Sequence, residues 1–248
     1  MMLYVNGDSH TAGAEAANTH AFAEDDPKLK MLGRLPHPDN VNVSWGKKLA
    51  ELLKYSFFCD AESAASNTRI IRTTKDWIDN TKTPYDELLV IIGWSTWERE
   101  EWFIDGEYHQ VGASGIDDIP ASHKDKYKEF VTNVDWKQKT YEAYENAKEL
   151  RDWLGDRKIN PIFFNCNNNF SKIREDDRVE WGYNYISPYT DNGTYDAYLK
   201  LHDYSTVTRG SWHYGADAHA AWAKMLLKYI VEKNIITDLS IGSRFNRT

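Results

Sequence analysis

Leu3-Tyr4-Val5-Asn6-Gly7-Asp8-Ser9-His10-Thr11-Ala12 passes from a short apolar run through a turn into a small-residue segment that can open a helix. Met2 to Val5 is β-prone, and Asn6-Gly7-Asp8 breaks the run. Strand, tight turn and helix N-terminus together put Ser9 at the carboxyl end of a strand, beneath the first free N–H groups of a helix. A hydroxyl in that position suits a nucleophile, because the same N–H groups can stabilise an oxyanion. Asp8 and Ser9 fit ordinary helix capping equally well, and Gly-Asp-Ser fits a simple turn. The motif alone does not decide between these readings.

Working outward, Glu87 to Ile92 (Glu-Leu-Leu-Val-Ile-Ile) is the strongest strand signal, as expected of the buried centre of a parallel sheet. Ser56 to Cys59 and Asn160 to Cys166 read as further strands. Amphipathic helices fall between them. Trp45 to Tyr55 turns Leu49, Leu52 and Leu53 inward. Asn67 to Thr81 carries the stripe Ile70, Ile71, Trp77 and Ile78, with Ser66 or Asn67 as its cap. His123 to Gly155 reads as one long helix with Tyr127, Phe130, Tyr141, Tyr144 and Ala147 on one side. Ala216 to Asn234 is a final helix with Trp222, Met225, Leu226, Tyr229 and Ile230 inward. Asp105-Gly106, set between Trp102-Phe103-Ile104 and Tyr108, predicts a hairpin over the sheet edge.

Residues 13–44 and 170–210 show little periodicity and read as loop insertions, a lid after Ser9 and an irregular cap. Strands alternating with helices predict an α/β class: a three-layer α/β/α, flavodoxin-like, mostly parallel sheet, in one domain spanning 1–248. In such sheets ligands bind beyond the carboxyl ends of the strands. Asp8 and Ser9, residues 60–67, Gly93 to Thr96, and Asn165 to Asn169 should therefore share one face.

The composition narrows the function classes. A net charge of −8 with no Lys/Arg run argues against nucleic-acid or anionic-membrane partners. The longest apolar run, Leu88 to Ile92, is far too short to span a bilayer. The N-terminus enters a strand directly, without a basic region and an apolar stretch, so a cytoplasmic location is expected. Cys59 and Cys166 sit in apolar strand-like contexts and read as free thiols. Ten Trp and fifteen Tyr exceed what a core needs, and such residues often line sites for sugars or flat ligands.

A serine nucleophile needs a base with a free lone pair. Of eight His, His213 in Ser211-Trp212-His213-Tyr214-Gly215 lies in the loop before the last helix, at the ligand end of the sheet. His219 lies on that helix, and His10 is expected to point to the other side of its turn. His213 and His219 are six apart with no third ligand spaced for zinc, so no metal site is expected. Asn165 to Asn169 could bind hydroxyl-rich ligands through their amides or merely cap a strand. Trp94 to Glu101 could form a sugar platform, with Trp97 stacking and Arg99 pairing to a carboxylate, or a surface Arg-Glu network.

Four anchors resemble the blocks of the SGNH/GDSL hydrolase superfamily: Gly7-Asp8-Ser9, Ser63-Ala64-Ala65-Ser66-Asn67-Thr68-Arg69-Ile70, Gly93-Trp94-Ser95, and the spacing of His213, Tyr214, Ala218, His219 and Ala223. The aromatic richness resembles bacteriophage-encoded members, which leaves association with a virion as an alternative location. The resemblance implies Ser9 as nucleophile and first oxyanion N–H donor. Ala64 would stand at the second-block glycine and Ser95 at the third-block Asn, both in the oxyanion hole. His213 would be general base, then acid.

Three departures follow from the same comparison. Ser95 is shorter than Asn, Ala64 needs a permissive backbone, and Gly210 stands where the family carries the Asp that orients the His. Asp217 is the expected replacement, with Asp203 as the alternative, though Asp217 also suits the first turn of a helix. A Ser–His dyad held by a backbone carbonyl is a third option. Asp8, Trp94, Asn165 and Asn167 are the expected substrate contacts.

The implied activity is a serine esterase cleaving a short acyl ester, with O-acetyl groups on a carbohydrate as a candidate. The alternative is a weak or inactive binding or structural protein on the same fold. The expected partner is a small-molecule or carbohydrate ester, with no cofactor, and the oligomeric state stays open.

Overall fold

A computed structural model describes residues 1–23, 35–113 and 119–236. Strand β1 (Met2–Gly7) leads into the single-turn helix α1 (Ser9–Ala12), followed by α2 (Pro38–Val43), α3 (Trp45–Leu53) and β2 (Ser56–Cys59). Then come α4 (Asn67–Asn80), β3 (Leu88–Trp94) and the hairpin β4 (Glu100–Ile104) with β5 (Glu107–Val111). Helices α5 (Lys124–Thr132) and α6 (Trp136–Asp156) precede β6 (Pro161–Asn165), and α7 (Tyr195–Leu201) and α8 (Ala216–Glu232) complete the described chain.

β1, β2, β3 and β6 form a four-stranded, wholly parallel sheet in the order β2-β1-β3-β6. Alternation along the strands sorts the core into two layers. Leu3, Val5, Leu89, Ile91, Ile162 and Phe164 face one side, where Leu49 and Leu53 of α3 and Trp222, Leu226 and Ile230 of α8 cover them. Tyr4, Val90, Ile92 and Phe163 face the other, beneath Ile70 and Ile78 of α4 and Tyr144, Ala147 and Leu150 of α6. The fold is therefore the three-layer α/β/α arrangement with a parallel sheet. β3 is buried at every position, as a strand covered on both faces must be.

The order reverses between β1 and β3, so a crevice opens beyond their carboxyl ends. There the layers approach unusually closely. Gly7 and Gly93 are register partners, and a Cβ on either would collide with Oγ1 of Thr11, which presses α1 onto the sheet. That contact puts the helix following the Gly-Asp-Ser turn directly over the strand ends.

Several expectations need correction. The segment His123 to Gly155 is two helices, because Asp135 accepts hydrogen bonds from the N–H groups of Lys137 and Gln138 and starts α6 afresh. Leu52 is 40% exposed, on the solvent side of α3. The stretch 170–210 contains α7, capped by Thr194, whose hydroxyl accepts from the Ala197 N–H. The hairpin forms at Asp105-Gly106, both with positive φ, but as a separate two-stranded sheet with its own small core of Trp102, Ile104, Val111, Ile119 and Tyr127. Residues 24–34 of the expected lid lie outside the described residues, as do 114–118 and the tail. Cys59 and Cys166 are free. Among the described residues, no helix is long and apolar enough to cross a membrane.

Candidate active site

The turn after β1 is organised by Asp8, which is fully buried. It caps α1 by accepting the His10 N–H at 3.0 Å, as a simple capping residue would. The carboxylate does more than cap. Oδ1 also meets His10 Nδ1 at 3.1 Å, while Oδ2 accepts the Ser95 hydroxyl at 3.0 Å and Arg99 Nη1 at 3.2 Å. Burial would raise this carboxyl, but the charge and hydrogen bonds of His10 and the charge of Arg99 outweigh it and hold the group far below the ordinary carboxylate range.

Ser9 follows immediately, 5% exposed, on the first residue of α1. Its hydroxyl and its backbone N–H have no partner among the described residues. His10 sets both ring nitrogens against oxygen atoms, Nδ1 against Asp8 Oδ1 and Nε2, at 3.2 Å, against the carbonyl of Trp212. It does not turn away from the site as expected. Its ring meets that of His213 edge-on, with centroids 5.7 Å apart.

His213 is thus carried to the α1 segment by its own loop. Two ties fasten that loop. One is the His10–Trp212 hydrogen bond. The other comes from Glu15, whose Oε2 accepts the Ser211 hydroxyl at 2.6 Å and lies 3.1 Å from His213 Nδ1, at an angle short of a full hydrogen bond. Ser211 Oγ in turn accepts the His213 N–H at 3.0 Å. Burial would raise the Glu15 carboxyl, but Ser211 and His213 hold it below its ordinary value. Burial and the nearby His10 push His213 down, against Glu15, which pulls it up. The result favours a neutral imidazole with Nδ1–H toward Glu15 and Nε2 free.

Asp217 and Asp203 are exposed, and neither pairs with His213; the carboxylate at Nδ1 is Glu15. Sequence reasoning missed it. The available signal was its isolation, as the one acid in the small-residue run Thr11 to Ala23, just after Gly13. Glu15 holds φ +62°, a left-handed conformation that costs a non-glycine residue about 1–2 kcal/mol. Strain of this kind clusters at functional positions.

Ala64 also holds a left-handed backbone, at φ +64°, where the resemblance implied glycine, and its N–H meets no acceptor among the described residues. Ser95 is differently placed from expectation. Its hydroxyl donates to Asp8, and its N–H donates to Asn67 Oδ1 at 2.9 Å, so both donors are committed. Arg99 carries N–H groups beyond the Nη1 that binds Asp8 and Ser95, and its side chain is 23% exposed. Trp94 is buried in the sheet core against Phe163. Asn165 is buried and accepts the Tyr185 hydroxyl at 2.7 Å, whereas Asn167 is exposed beyond the strand end. His219 is a structural residue. Its Nδ1 accepts the Trp45 N–H at the start of α3, and burial pushes its imidazole down to about 3.

The donor atoms of Asp8, His10 and Cys166 lie within 4.8 Å of one another, all buried. A cation there would have to displace the Arg99 guanidinium and the His10 ring from Asp8. Burial also raises the Cys166 thiol well above its ordinary value, against the thiolate a metal would need.

The solved structures similar to this one include a G-D-S-L family protein from Desulfitobacterium hafniense DCB-2 (10% identity, TM-score 0.48, covering 92% of this chain and 98% of the other). They also include an acetyl xylan esterase from the rumen bacterium Butyrivibrio proteoclasticus (10% identity, TM-score 0.46) and a carbohydrate esterase (12% identity, TM-score 0.46). These cover 94% and 93% of this chain, which spans 64% of each. No curated protein matches the sequence. Residues 23–154, more than half of the chain, match the family described as "Family of unknown function (DUF6071)"; the match begins after Ser9 and ends before His213. The chain belongs to that family.

Proposed function

We propose that the protein is a serine esterase acting on a short acyl ester, with an O-acetyl carbohydrate as the candidate substrate. The observation that carries the reading is the convergence at the β1–α1 turn. An uncommitted Ser9 hydroxyl sits on the first helical residue, and the His213 loop is fastened to the same segment through His10 and Glu15. In this mechanism Nε2 of His213 takes the Ser9 proton as Oγ attacks the ester carbonyl, and the imidazolium returns it to the leaving alcohol. Water then cleaves the acyl-enzyme by the same route in reverse. Glu15 takes the role of the orienting acid. The N–H groups of Ser9 and Ala64 face the developing oxyanion, and Arg99 supplies the side-chain donor that Ser95 cannot.

A second reading, a weak or silent binding protein on this fold, is favoured by one observation: no hydrogen bond joins Ser9 to His213. Turnover of short p-nitrophenyl esters separates the two. The esterase reading expects hydrolysis that Ser9→Ala abolishes and His213→Ala lowers by several orders of magnitude. Hydrolysis that is absent, or unaltered in Ser9→Ala, overturns it.

A further inference from the structure

A cleft of about 380 Å³ lies beyond the carboxyl end of β6. Three successive amides, Asn167, Asn168 and Asn169, form one wall directly after the strand, and Trp97, Trp136 and Tyr141 supply the aromatic surface. Trp136 is 52% exposed, although it opens a long helix whose inner side is well packed, so its indole is not needed by the core.

Two side-chain polar atoms of the lining residues are buried without a partner: the amide oxygen Oδ1 of Asn168, an acceptor, and Nε1 of Trp97, a donor. Buried polar groups in folded proteins are almost always hydrogen-bonded, so an orphaned acceptor and an orphaned donor in one cleft call for a ligand that offers both. Trp97 stacks flat on Phe170, with centroids 4.9 Å apart, which fixes its ring in place. It also borders a smaller cleft of about 220 Å³ shared with Asn67 and Arg99. Arg99 in turn binds Asp8, the residue before Ser9, so Trp97 borders both the larger cleft and the one whose wall reaches the β1–α1 turn.

We infer that this cleft is a subsite for a neutral oligosaccharide, whose ring faces pack on Trp136 and whose hydroxyls exchange hydrogen bonds with the Asn167–Asn169 amides and Trp97. A hydroxyl is donor and acceptor at once, which matches the orphaned pair. A sugar ring also has the apolar C–H face that an exposed indole takes. The assignment rests on the esterase reading only where it names the alcohol side of the cleaved ester as a glycan. Binding itself needs no Ser9 hydroxyl.

The test uses the full chain carrying Ser9→Ala, titrated with xylohexaose, with cellohexaose and, separately, with a galacturonate oligomer, followed by calorimetry and tryptophan fluorescence. Saturable binding of at least one neutral probe is expected, weakened about tenfold or more by Trp136→Ala and by Asn168→Ala. In the chain with Ser9 intact, Trp136→Ala should leave turnover of p-nitrophenyl acetate within about twofold of the parent, because that ester is too small to need the cleft. No saturation with either neutral probe at millimolar concentration overturns the inference. So does binding that both substitutions leave unaltered, or binding of the galacturonate oligomer alone. Binding with the expected losses, in a protein that hydrolyses no ester, leaves the subsite standing and removes the esterase reading instead.

Discussion

Glu15→Gln preserves side-chain size and removes the charge that faces His213 Nδ1 at 3.1 Å. Loss of a triad acid lowers turnover by about 10⁴ where that acid is buried and fully hydrogen-bonded, because the imidazole loses both its tautomer and its counter-charge. Glu15 is less enclosed. Its side chain is 30% exposed and that of His213 19%, so water screens part of the interaction. Ser211 also still holds the loop through the His213 N–H. The expected loss is therefore about 10²- to 10³-fold in kcat with KM little altered, or about 3 to 4 kcal/mol of transition-state stabilisation.

The pH profile gives a second readout with a definite sign. Glu15 pulls His213 up, so removing its charge lets burial and His10 push the imidazole further down. The acid limb of kcat/KM should then move to lower pH while the plateau falls. Hydrolysis of p-nitrophenyl acetate across the pH range measures both, with Asp217→Asn and Asp203→Asn as controls expected within about twofold of the parent. A Glu15→Gln enzyme within about threefold of the parent and with an unmoved acid limb refutes the reasoning. An equal loss in Asp217→Asn does so as well.

The remaining expectations concern the surroundings of the site. Arg99→Gln should lower kcat on the same ester by about 10²-fold if Arg99 serves the oxyanion, and an unaltered kcat removes it from that role. His219 is held neutral in the fold down to about 3, while the unfolded chain takes up its proton near 6.5. Stability should therefore fall as pH drops below about 6.5, by up to about 1.4 kcal/mol per pH unit from this group. Urea denaturation of His219→Gln should show a flatter slope between these values, and an equal slope contradicts the assignment. Gly93→Ala should cost about 2–3 kcal/mol in thermal unfolding, because its methyl meets Thr11 and the Phe164 ring. Thr11→Ala added to it should recover part of that loss, whereas strictly additive losses would place the clash elsewhere.

The frame of the molecule was legible because it rests on local signals. The apolar runs at β1 and β3, the Ser66 cap of α4 and the Asp105-Gly106 turn are each written in a few adjacent residues. The break before α6 was missed because the periodicity of Tyr127 and Phe130 continues nearly in phase into Tyr141, masking the Asp135 cap. Leu52 was misplaced because Leu49, Leu52 and Leu53 have the spacing of a single helix face, whereas the core takes only Leu49 and Leu53 and leaves Leu52 at the solvent edge of that stripe. The polar half of the site depends on contacts that leave no local trace. Glu15 meets Ser211 across 196 positions, and Ser95 is drawn to Asp8 across 87. Nothing near Ser95 announces that its hydroxyl is spent on a buried carboxylate. Asn165, expected to face a ligand, is instead taken by Tyr185, twenty residues on.

The central claim is that Ser9 is an activated nucleophile. A fluorophosphonate probe, followed by intact mass and peptide mapping, tests it most directly. The account expects one adduct per chain, on Ser9, absent in Ser9→Ala and slowed in His213→Ala and Glu15→Gln. A chain that takes up no probe, or a Ser9→Ala variant labelled as fully as the parent, would contradict it.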